Sequence, residues 1–351
     1  MIEETRTVFW ENGQVCMINQ PLLPHRFEIA RYDTYQQVAD AIKTMVVRGA
    51  PAIGAAAGFG MAIAAQNSKA TTVNDLRQDL RAAKEVLARS RPTAVNLFWA
   101  LDRMMKLADG SPWDSADALR QAMLAEAQKI ADEDIAINKR MGNHGAALVP
   151  QKATIIHHCN TGSLATVGWG TALGVVRSAF EQGKDLHVLV DETRPRLQGA
   201  RLTAWELKNL GIRHTVIADG ASGHYMRRYG VDLCLVGADR IAANGDTANK
   251  IGTYNLAVVA RENRVPFYVV APFSTIDMSI IHGDLIEIEE RDQEEVTHIG
   301  GYRITPEGSP AGNPAFDVTP NHYITAIVTE YGVIRPPFNV NLMKLAAEVG
   351  A

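Results

Sequence analysis

Apolar and polar residues alternate with a two-residue period near the start of the chain and then give way to a helical period. Residues 7–10 and 14–18 read as short strands around Glu11-Asn12-Gly13, and an Asn-Gly pair between apolar runs predicts a hairpin in a small opening sheet. Helical patterns follow at 34–47, 51–66, 73–90, 93–108 and 115–142. The last has Ala, Leu and Ile on one side and Asp, Glu and Lys on the other, the signature of a long amphipathic helix. The apolar stretch 50–65 contains three glycines and a proline, which suits a tightly packed buried helix and not a membrane span.

After Pro150 strands alternate with helices. Strands are expected at 154–157, 186–190, 214–217, 233–236 and 267–270, with helices at 166–181, 199–210, 223–229 and 253–263 between them. Strand starts about 20 to 35 residues apart imply βαβ units, and so a mostly parallel sheet covered on both faces. Beyond Ser274 the chain reads as irregular, with an acidic stretch at 287–295 and a terminal strand at 323–329. The expected fold is α/β. A small β region plus helical domain (1–125) leads through a connecting helix (126–145) into a Rossmann-like domain (146–351) with a mostly parallel sheet.

Composition narrows the function. With 351 residues and 46% apolar content the chain can build two cores, and a net charge of −4 gives no broad electrostatic footprint for nucleic acid. Any phosphate site must therefore be a local arrangement of a few cations and backbone N–H groups. Cys16, Cys159 and Cys234 are too few and scattered for a disulfide framework or a zinc motif, which points to the reducing cytoplasm. The charged start Met1-Ile2-Glu3-Glu4 lacks the apolar core of a signal peptide, and no run approaches ~18 apolar residues, so neither export nor membrane insertion is expected.

Two turns carry the chemistry. His157-His158-Cys159-Asn160-Thr161-Gly162-Ser163 and Val236-Gly237-Ala238-Asp239-Arg240 each follow an apolar strand, so Cys159 and Asp239 are expected at strand C-terminal ends, where open α/β sheets bind ligands. A free Cys is more often inert core, and an Asp often caps a turn. Here Cys159 precedes Asn-Thr-Gly-Ser at a strand-to-helix turn, and Asn244-Gly245-Asp246 already supplies turn chemistry near Asp239. Cys234, inside an apolar strand, reads as core.

Gly168-Trp169-Gly170-Thr171-Ala172-Leu173-Gly174 has the spacing GxGxxxG and lies too far past Cys159 to form a dinucleotide fingerprint. These glycines are expected inside the helix, letting it approach the sheet. His157 and His158 point to opposite strand faces, so they cannot both join Cys159 around a metal. For an anion, Arg48-Gly49-Ala50-Pro51 joins two helices, with Gly49 suited to a C-cap and Pro51 to a first turn. Arg91 reads as an exposed loop cation or a phosphate ligand, and Asn249-Lys250 as a solvated pair or a contribution to the same crevice.

Arg48-Gly-Ala-Pro-Ala-Ile-Gly54, Cys159-Asn-Thr-Gly-Ser163, Asp191-Glu-Thr-Arg-Pro-Arg-Leu-Gln-Gly-Ala-Arg201, Gly237-Ala-Asp-Arg-Ile-Ala-Ala-Asn-Gly245, Asn249-Lys-Ile-Gly-Thr-Tyr254 and Asn313-Pro-Ala-Phe-Asp-Val-Thr-Pro320, taken in order, resemble the methylthioribose-1-phosphate isomerase family over nearly the whole chain. Ser309-Pro-Ala-Gly312 departs from the family pattern in a peripheral loop. The resemblance implies conversion of 5-methylthioribose 1-phosphate to 5-methylthioribulose 1-phosphate in methionine salvage, by a homodimer without metal or cofactor. It implies Asp239 as proton donor and Cys159 as the group exchanging protons at the reacting carbons, with Arg48, Gly49, Ala50, Arg91, Gln198, Asn249 and Lys250 holding substrate.

With phosphate on C1 the sugar cannot open to a free aldehyde, so an acid must protonate the ring oxygen. A carboxyl at the ordinary pKa of about 3.9 is ionised at pH 7, so Asp239 in that role requires a site that raises it. Either Cys159 then removes the C2 proton, or a hydride passes from C2 to C1. Two relatives share the architecture: ribose-1,5-bisphosphate isomerase, which needs cations around the 5-position, and the regulatory subunits of the initiation exchange factor, which act through protein contacts.

Overall fold

The computed structural model describes residues 6–92, 94–110 and 112–350. Two compact units divide them: residues 6–137 with Ser163–Gly170, and Asn138–Gly162 with the chain from Thr171 onward.

In the first unit β1 (Val8–Glu11), β2 (Gln14–Ile18) and β3 (Ile29–Tyr32) form an antiparallel sheet in that order. The hairpin closes at Asn12 and Gly13, both at positive φ, which an Asn-Gly pair tolerates and the strand twist favours. Helices α1 (Tyr35–Lys43), α2 (Ala50–Asn67), α3 (Val73–Ser90), α4 (Val95–Asp109) and α5 (Ala116–Ala146) follow. Helix α1 stops short of the expected 34–47 because Met45 turns left-handed at φ 61° and the Val46 N–H donates back to the Ala41 carbonyl, a helix-closing pair of events. The expected start of α4 at Thr93 lies outside the described residues.

Helix α2 is buried on nearly every side, and its three glycines explain how. A Cβ on Gly54 would lie 3.0 Å from the Asn96 carbonyl, on Gly58 3.3 Å from Ile130 and on Gly60 2.9 Å from Leu87, so each glycine admits a different neighbouring helix. The unit's core gathers around it from Phe59, Met61, Leu76, Leu80, Leu97 and Leu101. The last eight residues of the unit, Ser163–Gly170, are held by Thr7, whose hydroxyl donates to the Ser163 carbonyl, and by Asp134, which accepts from the Val167 N–H.

The second unit is built on a seven-stranded sheet. Its chain order is β4 (Lys152–His157), α6 (Ala172–Glu181), β5 (Asp185–Asp191), a π-helical turn (Gly199–Thr203) into α7 (Ala204–Asn209), β6 (His214–Ile217), α8 (Ser222–Tyr229) and β7 (Leu233–Val236). There follow β8 (Arg240–Ala242), β9 (Thr247–Lys250), α9 (Thr253–Glu262), β10 (Phe267–Val270), β11 (Ile276–Asp277), α10 (Glu294–Thr297), β12 (His298–Ile299), β13 (Tyr302–Arg303), β14 (Phe316–Thr319), β15 (Ala326–Thr329), β16 (Gly332–Ile334) and α11 (Phe338–Val349). The large sheet runs β16-β15-β10-β7-β4-β5-β6, parallel throughout except for the edge strand β16. Leu-Cys-Leu-Val in β7 and Phe-Tyr-Val-Val in β10 are buried at every position, as strands covered on both faces must be. Cys234 is part of that core.

The expected helix 166–181 begins only at Ala172. Trp169 and Gly170 have φ of 76° and 94°, which no helix accommodates, so the glycine cluster forms a loop; Gly168 packs against Ile135 and not against the sheet. The region after Ser274 is more ordered than its polar texture predicts. Strands β11, β8, β9 and β14 make a second sheet in that order, and α11 contributes Phe338 and Leu342 to the core, with Ile334 packed against it. Among the described residues no helix is long and apolar enough to cross a membrane.

Candidate active site

Strand order locates the site. From β4 the chain moves outward through β5 and β6, then returns to β7 on the other side of β4 and continues to β10 and β15. The switch point of the sheet is therefore between β4 and β7, and ligands of open α/β sheets bind outside the strand C-termini at such a point. Cys159 lies two residues past the end of β4, and Asp239 three past the end of β7.

The two turns are brought together by a glycine. A Cβ on Gly237 would stand 2.8 Å from the Thr161 side chain, so only glycine lets the Asp239 turn approach the Cys159 turn this closely. Cys159 itself is buried and left-handed at φ 68°, a conformation that persists for a non-glycine only when its surroundings impose it. Its N–H donates to the Thr193 hydroxyl (2.8 Å), and its carbonyl accepts from the Thr203 hydroxyl (2.7 Å). Next to it Asn160 donates to Thr203 and to the buried Glu206 carboxylate (2.7 Å), and a Cβ on Gly162 would collide with that carboxylate. The π-helical turn before Glu206 is a feature that recurs at functional sites.

Asp239 is half-buried, and its N–H donates to the Ala248 carbonyl, the residue before Asn249. Asn249 and Lys250 end β9 and are buried, not solvated. The Asn249 amide donates to Thr253, while the Lys250 ammonium donates to the Ala315 carbonyl (2.6 Å) and lies over the Phe316 ring. The antiparallel register Lys250↔Phe316 and Asn249↔Asp317 gives Asn313-Pro-Ala-Phe its purpose as the strand that covers this pair. Asp317 accepts from the N–H groups of Gly252 and Tyr254, capping α9. Gln198 is 6% exposed, and its Oε1 has no protein donor among the described residues. A buried amide oxygen in that state suits a hydroxyl ligand.

Cys159, Gln198, Asp239, Asn249 and Lys250 thus share one sheet end. Arg48, Gly49, Ala50 and Arg91 belong to the first unit. Gly49, at φ 92°, is the N-cap of α2 and not the C-cap of α1, and a Cβ on it would strike the Ala165 carbonyl. Arg48 is half-buried, and Arg91, also half-buried and not an exposed loop cation, ends α3.

Beneath Cys159 lies a polar layer that residue spacing does not reveal. His158 Nδ1 is 3.0 Å from Asp191 Oδ2 and its Nε2 is 2.8 Å from the Ile251 carbonyl. Asp219 accepts from the N–H groups of Thr193 and Arg194. Ligand atoms of His158, Asp191 and Asp219 lie within 4.8 Å of one another, the spacing of a metal group. Each ligand atom already has a protein partner: Nε2 faces a carbonyl and donates to it, Nδ1 faces Asp191, and each Asp219 oxygen accepts a backbone N–H, so the three groups form a hydrogen-bond network. Burial pushes His157 down to about 3, helped by the neighbouring His158 charge. Burial works against the charge on His158 too, but the bond to Asp191 and the charges of Asp191 and Asp219 outweigh it and hold the ring above its ordinary value. The one sequence signal for this layer is that Asp191 ends a strand, and its partner depends on β5 lying beside β4.

Comparison with known proteins agrees with this architecture. Residues 46–336 match the initiation factor 2 subunit family. A curated methylthioribose-1-phosphate isomerase from a Synechococcus strain is 52% identical, covering 98% of this chain and 99% of its own. The crystal structure of 5-methylthioribose 1-phosphate isomerase from Pyrococcus horikoshii superposes with a TM-score of 0.93 at 52% identity, covering 98% of this chain and 96% of that one. A structure described as translation initiation factor eIF-2B subunit delta from A. fulgidus gives 0.89 at 44% identity, covering 98% of this chain and all of that one. With likeness over half the residues along its whole length, the chain belongs to the initiation factor 2 subunit family, in its methylthioribose-1-phosphate isomerase branch.

Proposed function

We propose that this chain is an aldose–ketose isomerase that converts 5-methylthioribose 1-phosphate to 5-methylthioribulose 1-phosphate in methionine salvage. What supports it most is a thiol and a carboxyl at the switch point of the sheet, in a chain more than half identical to relatives bearing that enzyme's name. In this reading the Asp239 carboxyl gives its proton to the ring oxygen, which requires that bound substrate shut water away from it, and the C1–O ring bond breaks. The C1 phosphate oxygen stabilises the cation left at C1. Cys159 as thiolate then takes the C2 proton to form an enol phosphate and returns it to C1, while the C2 hydroxyl gives its proton to the Asp239 carboxylate, leaving a ketone at C2 and restoring the acid. In the alternative step the C2 hydrogen moves to C1 as hydride while the C2 hydroxyl loses its proton.

Substrate holding is assigned to Arg48, Gly49, Ala50, Arg91, Gln198, Asn249 and Lys250. Gln198 Oε1 is suited to a sugar hydroxyl, and Lys250 and the arginines to phosphate. The reading also makes the chain a cytoplasmic homodimer that binds no nucleic acid and uses neither metal nor cofactor.

The test is incubation with methylthioribose 1-phosphate and, separately, ribose 1,5-bisphosphate, with ketose formation followed by NMR. Turnover of the first and not the second is expected. Turnover of the bisphosphate alone would reassign the substrate, and turnover of neither would favour a role through protein contacts. In deuterated water, deuterium at C1 of the product supports the Cys159 route, and its absence a hydride shift or a proton shielded from exchange.

A further inference from the structure

The reaction scheme uses neither of the two histidines at the end of β4, yet both ring nitrogens of His158 are engaged beneath it. The residue is 1% exposed and joins three segments. Its own backbone leads directly into Cys159. Through Asp191 it reaches the loop after β5: the Asp191 carbonyl accepts from the Thr193 hydroxyl (2.9 Å), which accepts from the Cys159 N–H, and Asp191 Oδ1 accepts from the Ser222 hydroxyl (2.8 Å). Through the Ile251 carbonyl it reaches the residue that follows Lys250. Room for the ring is built in: Gly252 is left-handed at φ 100°, and a Cβ there would come within 2.9 Å of the His158 ring.

We infer that His158 is a positioning residue for the reaction proposed above: clamped as an imidazolium between the Asp191 carboxylate and the Ile251 carbonyl, it sets the Cys159 turn against the strand end carrying Asn249 and Lys250. A neutral ring carries one N–H and can serve only one of these acceptors, so losing a proton breaks one side of the clamp. The charged and titratable groups around it are Asp191, Asp219, Asp317 and His157, with Cys234 facing Asp191 and Lys250 facing Asp317. Asp191 and Asp219 favour the imidazolium, and burial, which opposes it, is outweighed. Burial also raises Asp191, and the bond and charge of His158 and the Ser222 hydroxyl work against that rise by favouring its carboxylate.

The experiment uses the full chain labelled with nitrogen-15 histidine, together with His158→Gln and Asp191→Asn. In the wild type both His158 nitrogens are expected to carry hydrogen at pH 7 and above. His158→Gln should lower kcat about 100-fold, the cost of a misplaced reacting group. Asp191→Asn keeps an acceptor and removes the charge, so the alkaline limb of kcat should move down by about one pH unit or more. A role in folding alone would leave that limb in place, and an unmoved limb would overturn the proposal even if His158→Gln fails to fold. A wild-type chain that turns over no substrate would overturn the functional reading and the positioning role with it. A working isomerase whose His158 ring is neutral at pH 7 would overturn the clamp alone.

Discussion

His157 offers a quantitative handle on the acid sensitivity of the second unit. The ring is fully buried in β4, its Nε2 3.3 Å from the Thr161 hydroxyl, and burial lowers its pKa from 6.5 to about 3. A group whose folded pKa is depressed stays neutral in the fold while the unfolded ring takes up a proton, so its contribution is intact above pH 6.5 and lost as the pH falls toward 3. Linkage between those two values gives a loss of about 2–3 kcal/mol on going from pH 7 to pH 4.5, roughly 75-fold in the opening equilibrium. His157→Gln keeps a polar side chain that cannot be protonated in this range. Hydrogen exchange of peptides spanning β4 and β7, corrected for intrinsic rates, reads the opening equilibrium in both proteins. The wild type should lose about 2–3 kcal/mol more protection than the variant over that interval. Equal losses would show that His157 titrates alike in both states and would refute the burial argument.

Asp239→Asn should abolish turnover while leaving the far-ultraviolet dichroism and substrate binding intact, and full activity would remove the acid assignment. Cys159→Ala should lower kcat by about 10²–10⁴-fold, the range of a positioned proton-transfer group, and a near-normal rate would return the thiol to the core. Gly49→Ala drives a methyl group into the Ala165 carbonyl at a φ of 92°, so thermal unfolding should report a loss of about 2 kcal/mol or more; an unchanged midpoint would show that the 163–170 segment yields freely. Asp317→Ala removes both acceptors at the start of α9 and should cost about 1–2 kcal/mol, seen as faster amide exchange at Gly252 and Tyr254.

Local pattern alone determined a good deal of this protein. The opening hairpin follows from Asn12-Gly13, the buried helix α2 from its run of small residues, and the strands of the large sheet other than the edge strand β16 from short apolar runs, because in each case neighbours in sequence carry the signal. The ends of elements were less legible. Met45 closes α1 and the 166–171 loop delays α6 through left-handed backbone, and α11 has no counterpart among the elements expected from the sequence. For the site, strand-end position marked Cys159 and Asp239, and the motifs marked Gln198, Asn249 and Lys250. Only the tertiary structure decided that β7 lies beside β4, that Asp191 therefore meets His158, and that Lys250 is buried under Phe316. Strand order and burial arise from contacts between residues far apart in the chain, and the pattern within any single segment is the same whichever neighbour it acquires.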